Sequence, residues 1–244
     1  MECHLLTATR GERGRYGAQI EFPGLSAVGK LREAELLAAA RELGLKQVFF
    51  LDYIDGELDR AEPKEVIARI VRQLRQVRPH VVLTFGPEGA YGHTDHIAIC
   101  QFTTAAVVSA ADPAYRLPES AGPPPPSYRV SKLYYIAWTR EKWEAYQAAF
   151  RDLKSKVDGI ERRAVPWPDW AITTHIDTRA HWQTVWRAVC CHQTQLAIYD
   201  QLEHLSPEHH QAVWGSQEYY RVFSLVNGGR TRETDLFEGL RISS

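Results

Sequence analysis

Two histidines and an aspartate stand close together in one short, glycine-rich segment of this sequence. The segment runs from Gly86 to His96 and reads Gly-Pro-Glu-Gly-Ala-Tyr-Gly-His-Thr-Asp-His. Two imidazoles three residues apart, in a loop that enters a helix, can point at one site, and the carboxylate between them can accept a hydrogen bond from a ring N–H. That arrangement suits metal binding or acid–base chemistry. The same residues are also suited to capping the helix that follows, and spacing alone leaves the two interpretations even.

A metal site in this segment needs more ligands than the segment offers. A catalytic zinc ion takes about three protein ligands, so two histidines are too few. Further ligands must therefore come from elsewhere in the chain. Polar residues also follow two earlier strand-like runs, and they are Arg10 and Glu12 after the first, and Asp52, Asp55 and Glu57 after the second.

The elements that would position these loops alternate between two hydrophobic periods. Apolar runs at 3–8, 47–51 and 80–85 predict strands, and helical patterns occupy 28–43, 63–78 and 96–110. This alternation predicts a Rossmann-like, doubly wound α/β fold with a mostly parallel sheet. The unbroken apolarity of 80–85 predicts a strand buried on both faces. In such sheets ligands bind beyond the carboxyl ends of the strands, which is where the polar loops lie.

The C-terminal half departs from this alternation. Residues 112–127 carry six of the thirteen prolines and predict an irregular surface loop, followed by a strand at 132–138. Amphipathic patterns predict helices at 140–154 and 179–195, and a polar stretch predicts a solvated His209-His210 pair. No repeat or linker is evident, so we predict one domain over residues 1–244 with an elaborated C-terminal half. Five tryptophans in this half could form a sugar-stacking platform, but most of them fit core packing better, and they are Trp167, Trp170, Trp182, Trp186 and Trp214.

Composition argues against several functional classes. The 29 basic and 30 acidic residues leave a net charge of −1, which gives no electrostatic reason to expect nucleic acid or a membrane surface as a partner. No apolar run approaches the roughly 18 residues of a membrane span, and the first residues lack the features of a signal peptide. Four cysteines without CxxC spacing fit a reducing cytoplasm. Neither GxGxxG nor a P-loop pattern is present, so nucleotide binding is not supported.

A family resemblance emerges from the segment described first. Gly92-His93-Thr94-Asp95-His96, placed after an apolar strand, resembles the G-H-x-D-H signature of the PIG-L (LmbE-like) family of zinc-dependent deacetylases. Members of that family remove acetyl groups from N-acetylglucosamine conjugates and related amides. Further similar patterns follow in family order at 7–14, 32–44, 50–58, 191–195 and 233–237. The resemblance implies a zinc-dependent hydrolase whose partner is a small amino-sugar conjugate.

The resemblance also implies a role for each matching residue. His96 would bind zinc. His93 would protonate the leaving amine or stabilise the oxyanion, and Asp95 would orient His93. Tyr91 would reach the tetrahedral intermediate, and Arg32 and Asp55 would contact the substrate through charge-assisted hydrogen bonds.

One family hallmark, an A-H-P-D-D-E segment after the first strand, has no counterpart in this sequence. In the family it supplies two zinc ligands and the general base, so we predict an N-terminally incomplete domain that lacks the first family strand and holds zinc weakly or not at all. Three explanations remain open. The recorded start lies downstream of the true one, which we favour; the chain is a non-catalytic relative that binds a sugar conjugate; or other groups, such as His4 or Glu12, replace the lost ligands. The aglycone of the substrate and a homo-oligomeric state are also left open.

Overall fold

The structure is a computed structural model that describes residues 1–14, 16–17, 21–118, 123–150, 154–157, 159–196, 200–229 and 231–241. The chain divides into two compact units, each built from separate stretches. Unit 1 comprises Met1–Leu58, Glu141–Leu153 and Asp177–Gln217, and unit 2 comprises Asp59–Arg140, Lys154–Ile176 and Glu218–Ser244. The single domain that the sequence predicts stays a prediction. Among the described residues, no helix is long and apolar enough to cross a bilayer.

Unit 1 contains a parallel pair of strands joined by a helix. Strand β1 (His4–Thr7) pairs in parallel with β2 (Gln47–Phe50), and α1 (Leu25–Glu42) connects them. A parallel pair requires such a crossover because the chain must return to the same end of the sheet. Gly44, with φ +68°, follows the end of α1, where a glycine adopts the left-handed conformation that commonly ends a helix.

The other helices of unit 1 come from the C-terminal half. They are α5 (Arg140–Phe150), α6 (Trp182–Cys190), α7 (Gln193–Leu196) and α8 (Pro207–Trp214). Their apolar side chains form a core that includes Leu202, Val213 and Trp214. His210 is only 5% exposed, and its ring centre lies 5.3 Å from that of Trp182 and 4.5 Å from that of Trp186. The prediction of a solvated His210 is therefore wrong, because α8 turns this side chain toward the tryptophans.

Unit 2 is organised around a mixed sheet. Its strands lie in the order β3 (Val81–Thr84), β4 (Lys132–Ile136), β8 (Ser216–Ser224) and β7 (Thr174–Asp177). The β3–β4 pairing is parallel and confirms the predicted α/β crossover, whereas the β4–β8 pairing is antiparallel and was not predicted. β3 lies at the end of this strand order and Leu83 is 43% exposed, so the prediction of a strand buried on both faces is wrong.

Two helices of unit 2 pack against each other and fix the element that carries the histidines. They are α2 (Pro63–Val77) and α4 (Thr94–Ala111). The buried guanidinium of Arg75, on α2, donates hydrogen bonds to the carbonyl oxygens of Ala110 and Asp112 at 3.1 and 2.7 Å. These bonds satisfy carbonyls that the end of α4 would otherwise leave unpaired, and they place a positive charge at the negative end of the helix dipole.

A hairpin of unit 2 corrects another prediction. Strands β5 (Lys154–Val157) and β6 (Ile160–Arg163) pair antiparallel. Lys154, predicted as the last residue of a helix at 140–154, therefore lies in a strand, and the helix is described as Arg140–Phe150. The Asp-Gly dipeptide at 158–159 is the sequence signal for this hairpin, and Gly159 has the positive φ of +79° that such turns favour.

A buried polar network ties the sheet of unit 2 to the C-terminal segment. Glu233 is 1% exposed and accepts hydrogen bonds from Lys132, Tyr134 and Thr174 at 2.8 Å each, and from Asn227 at 2.6 Å. Burial by itself would raise the pKa of Glu233, but these four donors outweigh it and lower the pKa to about 2. The carboxylate is therefore charged at neutral pH and pairs with a buried lysine.

Candidate functional site

The segment with the paired histidines connects β3 to α4 in unit 2. One short helical turn, α3 (Gly89–Gly92), precedes His93. Gly89 and Gly92 have φ of +65° and +79°, which favours glycine at both positions. A Cβ atom added at Gly89 would lie 3.0 Å from the backbone nitrogen of Ile97, and one added at Gly92 would lie 2.6 Å from Cβ of Arg162. The two glycines therefore let the turn fold tightly against α4 and the hairpin.

His93 is the N-cap residue of α4. Its Nδ1 atom accepts a hydrogen bond from the backbone N–H of Asp95 at 3.2 Å. The capping interpretation is thus confirmed for this ring. An imidazole that accepts at Nδ1 carries its proton on Nε2 in the neutral form. Capping therefore occupies one nitrogen and leaves the other as a hydrogen-bond donor.

His96 has the opposite arrangement of its ring nitrogens. Its Nδ1 lies 3.3 Å from the carbonyl oxygen of Gly89. A carbonyl can only accept, so Nδ1 carries the proton and Nε2 keeps its lone pair. The ring stacks on Phe85, with centres 4.0 Å apart and planes 7° from parallel. Burial and the nearby His93 lower the pKa of His96 to about 4, only partly opposed by the Gly89 hydrogen bond, so the ring is neutral at neutral pH.

The structure brings three of the predicted site residues into one cluster. The ring centres of His93 and His96 are 4.8 Å apart, and that of Tyr91 lies 6.1 Å from His93 and 5.3 Å from His96. Ala90, just before Tyr91, has φ 63° and ψ −71°, the strained form of a γ-turn. Strain of this kind persists where the surrounding structure imposes it, and it often accompanies functional sites.

Asp95 lies within the first turn of α4 and is 6% exposed. Its negative charge suits the positive end of the helix dipole. The hydrogen bond to His93 described above comes from the backbone N–H of Asp95. Orientation of the imidazole by the Asp95 carboxylate stays a prediction.

The two predicted substrate-binding residues lie in unit 1, near the loops that follow β1 and β2. The guanidinium of Arg32 packs on Gly11 and Gly14, where a Cβ atom at either glycine would overlap it. The backbone N–H of Asp55 donates to Oε2 of Glu12 at 3.1 Å. Because Glu12 is only 5% exposed and accepts this hydrogen bond, it holds the Asp55 loop in place. Its position in the sequence does not reveal that role.

A pocket in unit 2 adjoins the histidine cluster through Phe85, and the sequence does not predict it. It is small, and its lining residues are Phe85, Gly86, Glu88, Ala90, Ile136, Trp138, Val165 and Trp167. The indole N–H of Trp167 donates to Oε1 of Glu88 at 3.0 Å. Trp167 therefore lines a pocket and Trp170 is 83% exposed, whereas the sequence favoured the core for most of the five tryptophans.

No group of three or more His, Cys, Asp or Glu side chains able to hold a metal ion occurs in the part of the chain that the structure describes. The sequence offers His4 and Glu12 as replacement ligands. The His4 ring lies beside that of Phe49, with centres 6.2 Å apart, and Oε2 of Glu12 accepts from backbone amides. His96 is the predicted zinc ligand, and its Nε2 keeps the lone pair that metal binding requires because Nδ1 carries the proton.

Comparisons with known proteins relate this chain to deacetylases. The family model described as "PIG-L: GlcNAc-PI de-N-acetylase" matches residues 1–107. A protein of Kineococcus radiotolerans, named 1D-myo-inositol 2-acetamido-2-deoxy-alpha-D-glucopyranoside deacetylase, is 31% identical over 98% of this chain and 75% of its own length.

Two solved structures share the fold. N,N'-diacetylchitobiose deacetylase from Pyrococcus horikoshii superposes with a TM-score of 0.63 at 16% identity, over 91% of this chain and 73% of its own. The 4-carboxy-2-hydroxymuconate hydratase of Pseudomonas putida KT2440 gives 0.61 at 19% identity, over 93% and 87%. These likenesses confirm the α/β fold. Because the two proteins are named for different reactions, the fold alone does not fix the chemistry.

Proposed function

This chain belongs to the PIG-L family, and from that premise we propose that it hydrolyses the acetamide of an N-acetylglucosamine glycoside to acetate and a free amine. The Kineococcus relative is named for this reaction on an inositol glycoside. The observation that carries the proposal is the pair His93 and His96, whose rings lie 4.8 Å apart and have opposite hydrogen-bond roles.

Amide hydrolysis makes two demands that His93 can meet. Negative charge develops on the carbonyl oxygen as water adds, and the nitrogen must gain a proton before the C–N bond breaks. The Nε2–H of His93 donates to the developing oxyanion while the ring is neutral. Once Nδ1 has also taken up a proton, the imidazolium passes its Nε2 proton to the leaving nitrogen and returns to the neutral form. Tyr91, in ring contact with both histidines, would supply a second donor to the same oxygen. Asp95 would hold the His93 ring in its orientation.

We also propose that the activity depends on zinc and that His96 is one of its ligands. A neutral imidazole with a lone pair on Nε2, and with Nδ1–H bonded to a carbonyl, is the form that binds a metal. A catalytic zinc takes about three protein ligands, and the described residues contain no group of three suitable side chains. The described residues thus supply one zinc ligand, His96, and not the complete set that a catalytic zinc ion needs.

Arg32 and Asp55 are the proposed substrate contacts in unit 1. The glycine surface under Arg32 restricts where its guanidinium can move, and the Glu12 hydrogen bond fixes the backbone of Asp55. Side chains that are held in place lose little entropy when they bind a hydroxyl or phosphate group. We expect Arg32→Ala to raise KM more than it lowers kcat.

A second candidate function is that of a non-catalytic relative that binds a sugar conjugate. The observation that favours it is the incomplete ligand set of the described residues. The observation that opposes it is the tight arrangement of Tyr91, His93 and His96, since binding alone does not require two imidazoles with fixed and opposite tautomers.

The experiment that separates these functions measures release of a free amine. The purified protein is incubated with zinc and the N-acetylglucosamine α-glycoside of myo-inositol. We expect His96→Ala and His93→Ala to lower amine release strongly, and the exposed His204→Ala to leave it unchanged. Activity that survives His96→Ala would refute the assigned site. Binding of the glycoside without any amine release from the unmodified protein would favour the non-catalytic alternative.

We further propose a cytoplasmic location and a small-molecule amino-sugar partner. Cys3, Cys100, Cys190 and Cys191 are free thiols in the structure, which fits a reducing compartment.

A further inference from the structure

The turn that presents Tyr91 and His93 is strained. Gly89 and Gly92 have φ of +65° and +79°, and Ala90 between them has φ 63° and ψ −71°. A backbone in such a conformation persists only where the surrounding structure holds it there. The contacts around this turn, residues 88–93, therefore decide where Tyr91 and His93 point.

A segment of unit 2 that is distant in sequence lies along this turn. Residues 162–167, the strap, meet the turn in the reverse order of sequence. The three meeting points are Trp167 with Glu88, Val165 with Ala90, and Arg162 with Gly92. The indole N–H of Trp167 donates to Oε1 of Glu88 at 3.0 Å. Val165 and Ala90 border the same small pocket. A Cβ atom at Gly92 would lie 2.8 Å from Cδ of Arg162, so the stem of this arginine packs on the backbone of the turn.

The strap is itself held at both ends. The backbone N–H of Trp167 donates to the carbonyl oxygen of Trp138 at 2.8 Å, and the Trp167 ring centre lies 5.6 Å from that of Tyr220 on β8. At the other end, Arg162 pairs with Ser155 in the hairpin of β5 and β6. The strap can therefore act as a fixed support for the turn.

Glu88 connects the strap to His93. Its side chain accepts the indole N–H of Trp167, and its backbone carbonyl accepts the N–H of Gly92 at 3.1 Å. Gly86 leaves room for this side chain, because a Cβ atom at residue 86 would lie 2.8 Å from Cδ of Glu88. Two hydrogen bonds therefore link the strap to the residue that directly precedes the proposed proton donor.

We propose that the strap positions the donor groups of the reaction, those of Tyr91 and His93. Trp167 is its positioning residue and acts through Glu88. The reaction itself rests on the proposed function, whereas the hold of the strap on the turn rests on the contacts between them. A proton donor works only within hydrogen-bond reach of the atom that it serves, and a displacement of about 1 Å can cost roughly 100-fold in rate. Release of the turn should therefore lower kcat. It should change KM little, because the proposed substrate contacts lie outside the strap and the turn.

The first test removes the donor from the strap. Trp167→Phe keeps an aromatic ring beside Tyr220 but loses the N–H that binds Glu88. We expect kcat for amine release from the inositol glycoside to fall about 10- to 100-fold, with little change in KM. Trp170→Phe is the matched control, since it makes the same substitution three residues away at a side chain that is 83% exposed, and it should leave both constants unchanged. An unchanged kcat in Trp167→Phe, or a rise in KM alone, would overturn the proposal.

The second test removes the acceptor. Glu88→Gln keeps an oxygen that can accept the indole N–H, so kcat should stay close to that of the unmodified protein. Glu88→Met has a side chain of similar length without this acceptor, and it should lower kcat as Trp167→Phe does. Because the two residues act as one unit, the double variant Trp167→Phe/Glu88→Met should lose no more than either single variant. Equal losses in Glu88→Gln and Glu88→Met, or additive losses in the double variant, would show that this hydrogen bond does not carry the effect.

Hydrogen exchange tests the strap without reference to deacetylation. The N–H groups of Gly89 and Gly92 donate to carbonyls within the turn, those of Gly86 and Glu88. Trp167→Phe should speed amide exchange in a peptide that covers residues 86–96 and leave exchange in the α2 peptide unchanged. Faster exchange in a protein that releases no amine would support the strap while the proposed function fails. Amine release that depends on His96, with exchange and kcat unaffected by Trp167→Phe, would overturn the strap and leave the proposed function standing.

Discussion

The two roles that the structure gives to His93 can be separated by comparing His93→Ala with His93→Asn. The ring caps α4 through Nδ1 and presents Nε2–H as a donor. Alanine removes both functions. In asparagine, Oδ1 stands one bond beyond Cγ, in the place of Nδ1, so it can accept the same N–H of Asp95. Asparagine is also among the most favourable N-cap residues. It therefore keeps the cap and loses the imidazole.

The expected magnitudes follow from these contacts. Loss of the cap in His93→Ala should lower the free energy of unfolding by about 1 kcal/mol, which is a Tm decrease of about 2–4 °C for a protein of this size. His93→Asn should stay within a few tenths of a kcal/mol of the unmodified protein. Both should lower turnover by about 10²–10⁴-fold, because neither can transfer a proton from Nε2 to the leaving nitrogen.

Thermal unfolding followed by circular dichroism gives the stability, and amine release from the inositol glycoside gives the turnover. If His93→Asn keeps full turnover, the imidazole is a cap and nothing more, and the proposed acid–base role is refuted. If His93→Ala unfolds at the same temperature as the unmodified protein, the hydrogen bond to Asp95 contributes nothing and the tautomer assigned from it loses its support.

Three other predictions concern the buried network, the strained turn and the metal. Because the pKa of Glu233 falls from 4.5 to about 2 on folding, its stabilisation is complete above about pH 4.5 and is lost as the pH falls toward 2. Urea unfolding midpoints should decrease across this window. Glu233→Gln should make that decrease shallower, and at pH 7 it should cost about 3–5 kcal/mol by leaving Lys132 buried and without this carboxylate. Ala90→Gly should raise the urea midpoint by the equivalent of about 1 kcal/mol, because glycine adopts the positive φ without strain, and a lower midpoint would contradict the strain. In equilibrium dialysis against a fixed zinc concentration, atomic absorption should find less zinc bound to His96→Ala than to His93→Ala, and the reverse order would exchange their roles.

The helices of the first half could be predicted closely because their signals are local. The helix predicted at 28–43 is α1 (Leu25–Glu42), and the one predicted from Pro63 is α2 (Pro63–Val77). Apolar periodicity, a proline in the first turn and a glycine after the last turn are all read within a few residues. The parallel pairings β1–β2 and β3–β4 follow from the same alternation, since a helix between two strands returns the chain to the same end.

The parts that could not be predicted depend on partners distant in the chain. Glu88 and Trp167 are 79 residues apart, and neither residue alone indicates the hydrogen bond between them. Glu233 and Lys132 are 101 residues apart, yet their pairing decides that both charges are buried. Antiparallel β8 joins β4 in the same way, since no hairpin connects the two strands and local spacing cannot reveal their pairing.

The histidine segment shows most clearly which features the sequence determines and which only the tertiary structure decides. The sequence contains the residue types at 91–96, with Gly89 before Tyr91 and Gly92 after it. These suffice to indicate a site and its family. They do not tell the two imidazoles apart. The path of the backbone does so, because positive φ at Gly89 and Gly92 folds the turn back until a carbonyl meets Nδ1 of His96, while the start of α4 presents an N–H to Nδ1 of His93. Which ring nitrogen keeps its proton is set by the group that the fold places beside the other nitrogen, and residue spacing carries no information about that group.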